Sequence, residues 1–139
     1  DTARKADRGA FWRSIHETLV HLLWGDLVWM SRFDGWDKPE VSLGESAGMI
    51  PDWDHYCDAR ATADADIRAW ADRLTADDLA GDMTWYSSTA GREVGKPRWL
   101  LVTHFLNHQT HHRGQVHAML TAAGARPGDT DLFLMPGDA

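Results

Sequence analysis

The sequence predicts an all-α fold, a bundle of long amphipathic helices that forms one domain over residues 1–139. Apolar residues recur with helical spacing in three long segments. The ends of these segments carry the capping, proline and glycine residues that begin and end helices. A chain of 139 residues buries roughly two thirds of its surface on folding, which is enough for a core without cross-links. These observations together favour helix packed on helix.

The first long helix is predicted to begin after Ser14, because Ser14 and Glu17 have the spacing of a capping box. Helical periodicity then runs from Ile15 to Phe33, and Gly35 provides a stop. Apolar side chains cover most of the girth of this segment, which is typical of a helix at the centre of a fold.

Two further helices and a hairpin are predicted downstream. Helical spacing and proline positions place one helix from Pro51 to about Leu74 and the last from Pro97 to near Gly124. Residues 83–95 lose the helical period and are expected to form a small β-hairpin. The apolar residues of the C-terminal tail are expected to dock on the bundle: Leu132, Phe133, Leu134 and Met135.

Composition excludes several classes of partner. The formal net charge is −7, with 14 basic residues scattered among 21 acidic ones, so no surface for nucleic acid is expected. No apolar run approaches the roughly 18 residues of a membrane span, and no leader segment is recognisable. Cys57 is the sole cysteine and has no disulfide partner within the chain, which fits a cytoplasmic location.

A stripe of histidines on the last helix carries the most chemical information. At about 100° per residue, five polar side chains fall within one third of the helix circumference. These are His104, His108, His111, His112 and Gln115. Leu101 and Met119 lie in the same sector at its two ends, so we expect a buried polar site rather than a solvated face. His108 and His112 are four residues apart, the spacing with which a helix chelates a transition metal.

A two-histidine chelate needs a further ligand from elsewhere in the chain. The first long helix offers His16, His21 and Asp26, and His55 at the head of the second helix is a weaker candidate. Spacing does not choose between His16 and His21, because that helix is apolar nearly all round. Imidazole ligands suit zinc, nickel, copper or iron. The competing interpretation is a set of hydrogen-bonded core histidines without a metal.

Two motifs resemble those of the DinB/YfiT-like family. The segment 108–115 resembles the H-x-x-x-H-R-G-Q signature on the last helix of that family. The segment 18–23, followed by Asp26 and Trp29, resembles its second-helix motif. The resemblance extends over residues 11–135, which is nearly the whole chain.

The resemblance implies an up-down four-helix bundle that holds one divalent metal on His21, His108 and His112. The family is described as metal-dependent enzymes and is similar to transferases that use low-molecular-weight thiols such as mycothiol and bacillithiol. Its members are commonly homodimers. They usually carry a complete helix before the motif at residues 18–29, whereas thirteen residues precede Ser14 here. We therefore expect a first helix that is truncated, not represented in this sequence, or replaced by a partner chain.

Three neutral imidazoles leave a coordination position open on zinc or nickel, which is the catalytic rather than the structural arrangement. Such a site predicts a hydrolase, or a thiol-dependent transferase or isomerase, acting on a small-molecule substrate. His111, Gln115 and Asp26 are the candidates for proton transfer or for orienting a ligand. Arg113 and Trp24 are the candidates for binding a cofactor or substrate. Three of the eight tryptophans are candidates for pocket walls: Trp24, Trp29 and Trp99. The alternative is a non-catalytic metal- or ligand-binding bundle of a stress response.

Overall fold

The computed structural model describes residues 1–134 and is mostly helical. It contains a short helix α1 (Thr2–Lys5) and three long helices, α2 (Ile15–Phe33), α3 (Trp53–Asp72) and α4 (Arg98–Ala122). Strands β1 (Asp82–Ser87) and β2 (Arg92–Pro97) pair antiparallel, with Trp85 opposite Val94. The predicted helical fold with a hairpin before the last helix is confirmed. Because only three long helices occur among the described residues, a four-helix bundle is not confirmed.

Helix α2 is the central element, as its all-round apolar character predicts. The Ser14 hydroxyl accepts a hydrogen bond from the Glu17 backbone N–H at 3.1 Å, which is half of the predicted capping box. Twelve of the 19 residues of α2 are buried, and none is exposed. Main-chain contacts surround it with α1, α3, α4 and the segment that follows it.

The proline positions predicted the starts of α3 and α4 to within two residues. Asp52, rather than Pro51, caps α3, because its carboxylate accepts the His55 backbone N–H at 2.8 Å. Pro97 is the last residue of β2, so α4 begins one residue later. Gly124 has φ of +83° just beyond α4, as the predicted glycine stop requires.

The segment between α2 and α3 is more ordered than its Gly- and Ser-rich composition suggests. It contains a 3₁₀ helix (Leu43–Gly48) that begins with a capping box between Ser42 and Glu45. This segment packs against α2 and buries Ser46 and Ile50 there. It therefore covers part of the apolar surface of α2.

The C-terminal tail does not dock as predicted. Leu132 and Phe133 are 79% and 84% exposed and Leu134 is 52% exposed, so the prediction is wrong for these three residues, and Met135 lies outside the described part. The tail instead borders α4 beside Thr110 and Arg113, and its leucine and phenylalanine side chains stay largely in solvent. No helix among residues 1–134 is both long and apolar enough to cross a bilayer.

Candidate metal centre

Three histidines converge where α2 crosses α4. His21 comes from α2, and His108 and His112 come from successive turns of α4. One possible ligand atom of each residue lies within 4.8 Å of those of the other two. The ring centroids are 4.8 Å apart for His21 and His112 and 4.5 Å apart for His108 and His112. A cluster of this size could hold one metal ion.

The hydrogen bonds of His21 define its tautomer. Its Nδ1 lies 2.8 Å from the Ser46 hydroxyl, and that hydroxyl donates its proton to the Leu43 carbonyl at 2.7 Å. A hydroxyl has one proton to give, so Ser46 must accept from an Nδ1–H of His21. The Nε2 lone pair of His21 is therefore left for a cation. Such a hydrogen bond to the second nitrogen is what orients histidines that bind metals.

The two histidines of α4 differ in how their Nδ1 atoms are held. Nδ1 of His112 donates to the Gln115 side-chain oxygen at 2.8 Å, which again leaves Nε2 with a lone pair. Nδ1 of His108 is buried and has no hydrogen-bond partner among the described residues. Buried imidazole nitrogens without a partner are costly unless something else binds them.

A glycine on α2 makes room for the His108 ring. A Cβ atom built on Gly25 would lie 2.8 Å from Cε1 and 3.3 Å from Nδ1 of His108. Real Cβ contacts are not this short, so only glycine lets the imidazole approach the α2 backbone. An isolated glycine within a buried helical segment is the one sequence signal that points to this close approach.

The environment keeps all three imidazoles uncharged near neutral pH. The pKa of His21 is lowered to about 3, mainly because burial removes the hydration of the charged ring. Repulsion from the positive charge of a protonated His112 or His108 lowers it further. Burial and the neighbouring histidines lower the pKa of His108 to about 4. Burial also lowers the pKa of His112, although its hydrogen bond with Gln115 opposes the shift. Neutral imidazole is the form that binds a metal.

Two tryptophans sandwich His21. Trp12 stacks on the imidazole at 4.1 Å between centroids, and Trp24 stacks on it at 5.8 Å. Trp12 belongs to a tight loop in which Ala10 bridges to Arg13, and Arg13 adopts a left-handed φ of +63°. No pattern in the sequence indicates Trp12 or Ser46 as site residues, because neither belongs to a periodic segment with the histidines.

A cavity of about 350 Å³ adjoins the three histidines. Its lining is formed by Phe11, Trp12, His21, Trp24, Gly25, Val28, Trp29, Leu43, His104, His108, His111, His112 and Gln115. Of the three tryptophans considered as pocket walls, Trp24 and Trp29 line the cavity, whereas Trp99 is 56% exposed and does not. The remaining stripe residues His104, His111 and Gln115 also reach it.

Asp26 belongs to a different polar cluster. Its carboxylate is fully buried and forms an ion pair with Arg60 of α3, which also pairs with Asp64 at 2.8 Å. Burial raises the pKa of Asp26 to about 6, against the opposing effect of Arg60. The structure therefore places Asp26 beside α3 and gives it no hydrogen bond to any of the three imidazoles.

The other sequence candidates lie apart from the cluster. His16 is buried, and its Nε2 is hydrogen-bonded to the Ile50 carbonyl oxygen at 2.9 Å. His55 and Cys57 are exposed on α3. Arg113 is exposed and borders a depression shared with the C-terminal tail rather than the cavity.

Fold and site together define a helical protein with a three-histidine centre at the crossing of two long helices. A family model described as DinB family matches residues 1–137, nearly the whole chain, and the chain belongs to this family. Comparison with curated proteins and with solved structures finds no match.

Proposed function

We propose that this protein binds one divalent transition metal, zinc or nickel, at His21, His108 and His112. We propose further that it uses this metal to join the sulfur of a low-molecular-weight thiol to an electrophilic carbon of a small substrate, with release of the thiol proton and of the group that the sulfur displaces. The observation that carries the proposal is the convergence of three uncharged imidazoles, with ligand atoms within 4.8 Å of one another, on the wall of a cavity.

The donor set fits such a metal. Three neutral nitrogen ligands suit zinc or nickel, and three protein ligands are the number that catalytic zinc sites use. When bound, the metal would supply a Lewis-acidic position at which a thiol or a water molecule loses its proton near neutral pH. The Ser46 and Gln115 hydrogen bonds hold the imidazoles of His21 and His112 with Nε2 available.

The lining of the cavity favours a thiol as the nucleophile. No carboxylate lies among the described lining residues, so a general base at the cavity would have to be one of its imidazoles. A thiol is far more acidic than water and needs no such base. His111 is exposed and its ring centroid lies 4.8 Å from that of His112, so it is placed to pass the released proton to solvent.

Metal-dependent hydrolysis is the second candidate. It is favoured by the presence of two further imidazoles, His104 and His111, on the cavity wall. These rings would relay the proton of an activated water molecule. The non-catalytic alternative has less support, because a purely structural three-histidine site is expected to be closed by side chains rather than to adjoin a cavity of about 350 Å³.

The quaternary arrangement and location belong to the proposal as well. We propose an up-down four-helix bundle, with α2, α3 and α4 as three of its helices, that assembles as a homodimer in the cytoplasm. The exposed side chains of Trp99 and Leu106 on α4 support a partner on that helix. Sedimentation velocity distinguishes a dimer from a monomer.

The decisive experiment is metal analysis of protein purified without a histidine tag. We expect about one equivalent of metal in the wild type after reconstitution with zinc or nickel, and its loss in His108→Ala. His55→Ala, which removes an exposed histidine on α3, is the matched control and should retain the metal. Absence of metal from the reconstituted wild type would overturn the proposal. Thiol transfer to a model aryl electrophile, assayed with the loaded protein, then separates transferase from hydrolase.

A further inference from the structure

The cavity beside the histidine cluster is lined by uncharged side chains. Apart from imidazoles and Gln115, its lining is apolar, and three indole rings contribute to it, those of Trp12, Trp24 and Trp29. Phe11 lies at the rim and is 80% exposed. Among the described lining residues there is no aspartate, glutamate, lysine or arginine.

Two charged groups close to the cavity already interact with other partners. The Asp26 carboxylate is paired with Arg60. The Arg32 guanidinium lies 4.6 Å from the ring centroid of Trp29 and is not part of the lining. A charged group on the body of a ligand would therefore lose its hydration in the cavity without gaining a counter-ion.

The indole rings are also poorly placed to attract a cation. One face of Trp12 and one face of Trp24 are stacked on His21. Trp29 is stacked with Phe33 at 5.6 Å and is covered by Arg32. Aromatic rings attract cations through their faces, whereas their edges are positive and favour the face of another aromatic ring.

We infer that this cavity selects an uncharged, flat, apolar molecule, the size of one or two fused aromatic rings with a small reactive head. The volume of about 350 Å³ is near the lower end of the roughly 300–1,000 Å³ range of small-molecule sites. In this arrangement the reactive head faces the histidines and the body of the molecule packs against the indoles. The role of the head rests on the proposed function.

Calorimetric titration with two molecules of matched shape tests this selection. The probes are 2-naphthamide, which is neutral, and 2-naphthoate, which is anionic at neutral pH. Each is titrated into metal-free protein, in which the neutral imidazoles offer the carboxylate no counter-ion. We expect the amide to bind at least tenfold more tightly than the carboxylate. This result can be read even if metal binding, and with it the proposed function, fails.

A variant at the rim provides the control. Leu43 is 41% exposed and begins the 3₁₀ helix, so a polar residue there should not impair folding. Leu43→Lys should bring the preference for the amide below threefold by giving the carboxylate a counter-ion, whereas Leu43→Gln should leave it near tenfold. Equal affinities for the two probes in the wild type, or no saturable binding of the amide, would overturn the inference.

Discussion

Two buried polar clusters lie on helix α2, and they differ in where their polar atoms find partners. The Asp26 carboxylate pairs with Arg60, and Arg60 pairs in turn with Asp64, so this charge is balanced within the chain. In the histidine cluster, the hydrogen bonds of His21 and His112 use Nδ1 and leave the Nε2 lone pairs available. In the first cluster the charges are balanced within the chain, although Oδ1 of Asp26 and Nε of Arg60 have no hydrogen-bond partner among the described residues. In the second, uncharged nitrogens converge and are arranged to bind a cation.

The comparison teaches that burial of a polar group is by itself a poor sign of function. Asp26 is among the most deeply buried polar residues of the described chain, yet its partner is an arginine of the neighbouring helix. A buried ion pair is expensive to break but contributes little net stability relative to an apolar core. The functional signal is the convergence of three uncharged ligand atoms on the wall of a cavity, which the Asp26 cluster lacks.

The largest expected effect is the loss of the ion pair in Arg60→Ala. This change leaves a fully buried carboxylate without its counter-ion, so the free energy of unfolding should fall by about 3 kcal/mol. Arg68→Ala, at an exposed position of α3, should change it by less than about 0.5 kcal/mol. Urea denaturation measures both. If the folded Arg60→Ala variant also lost its metal, the two clusters would not be independent.

Gly25→Ala should weaken the metal site with little change at the ion pair. The new Cβ would lie 2.8 Å from Cε1 of His108, so the imidazole must shift and metal affinity should fall roughly a hundredfold. Gly114→Ala is the matched control on α4, since nothing lies within 4 Å of its Cβ position. It should keep the metal and raise stability by up to about 1 kcal/mol. Competition with a chromophoric chelator measures the affinities, and equal values for the two variants would contradict the role of Gly25.

The pH dependence of stability should carry the signature of Asp26. Its pKa is raised to about 6 in the folded state, against an ordinary value near 4. Over that range the folded protein holds a proton that the unfolded chain has lost. The contribution of this group is therefore full below about pH 4 and declines by roughly 3 kcal/mol as the pH rises through 6.

Asp26→Asn isolates this contribution from those of other carboxylates. The difference in unfolding free energy between wild type and variant, measured on metal-free protein from pH 4 to 7, should change in that direction. A flat difference curve would mean that Arg60 keeps the carboxylate ionised throughout.

Ser46→Ala should have the smallest of these effects. The Nδ1–H of His21 would lose its acceptor, which frees the tautomer and the ring orientation, so metal affinity should fall about tenfold. Ser88→Ala, at an exposed position in the hairpin turn, should have no effect on affinity. An unchanged affinity in Ser46→Ala would show that Trp12 and Trp24 alone are enough to hold His21.

The sequence by itself determined the parts of this protein that depend on local periodicity. The bounds of α2 follow from its repeat of apolar residues and from the Ser14 cap. The hairpin follows from the absence of helical periodicity from Met83 onward. The spacing of four residues between His108 and His112 predicted that both imidazoles lie on one face of α4. These are relations between neighbours along one element.

Only the tertiary structure decided which distant groups meet. Spacing left His16 and His21 as equal candidates, because a helix buried all round has no polar face to show how it is rotated. The resemblance favoured His21, and the packing of α2 on α4 brings His21 to the α4 histidines while His16 meets the Ile50 carbonyl. The ion pair of Asp26 with Arg60 and the stacking of Trp12 on His21 could not be predicted, for the same physical reason. Contacts between elements far apart in the chain leave no local pattern in the sequence.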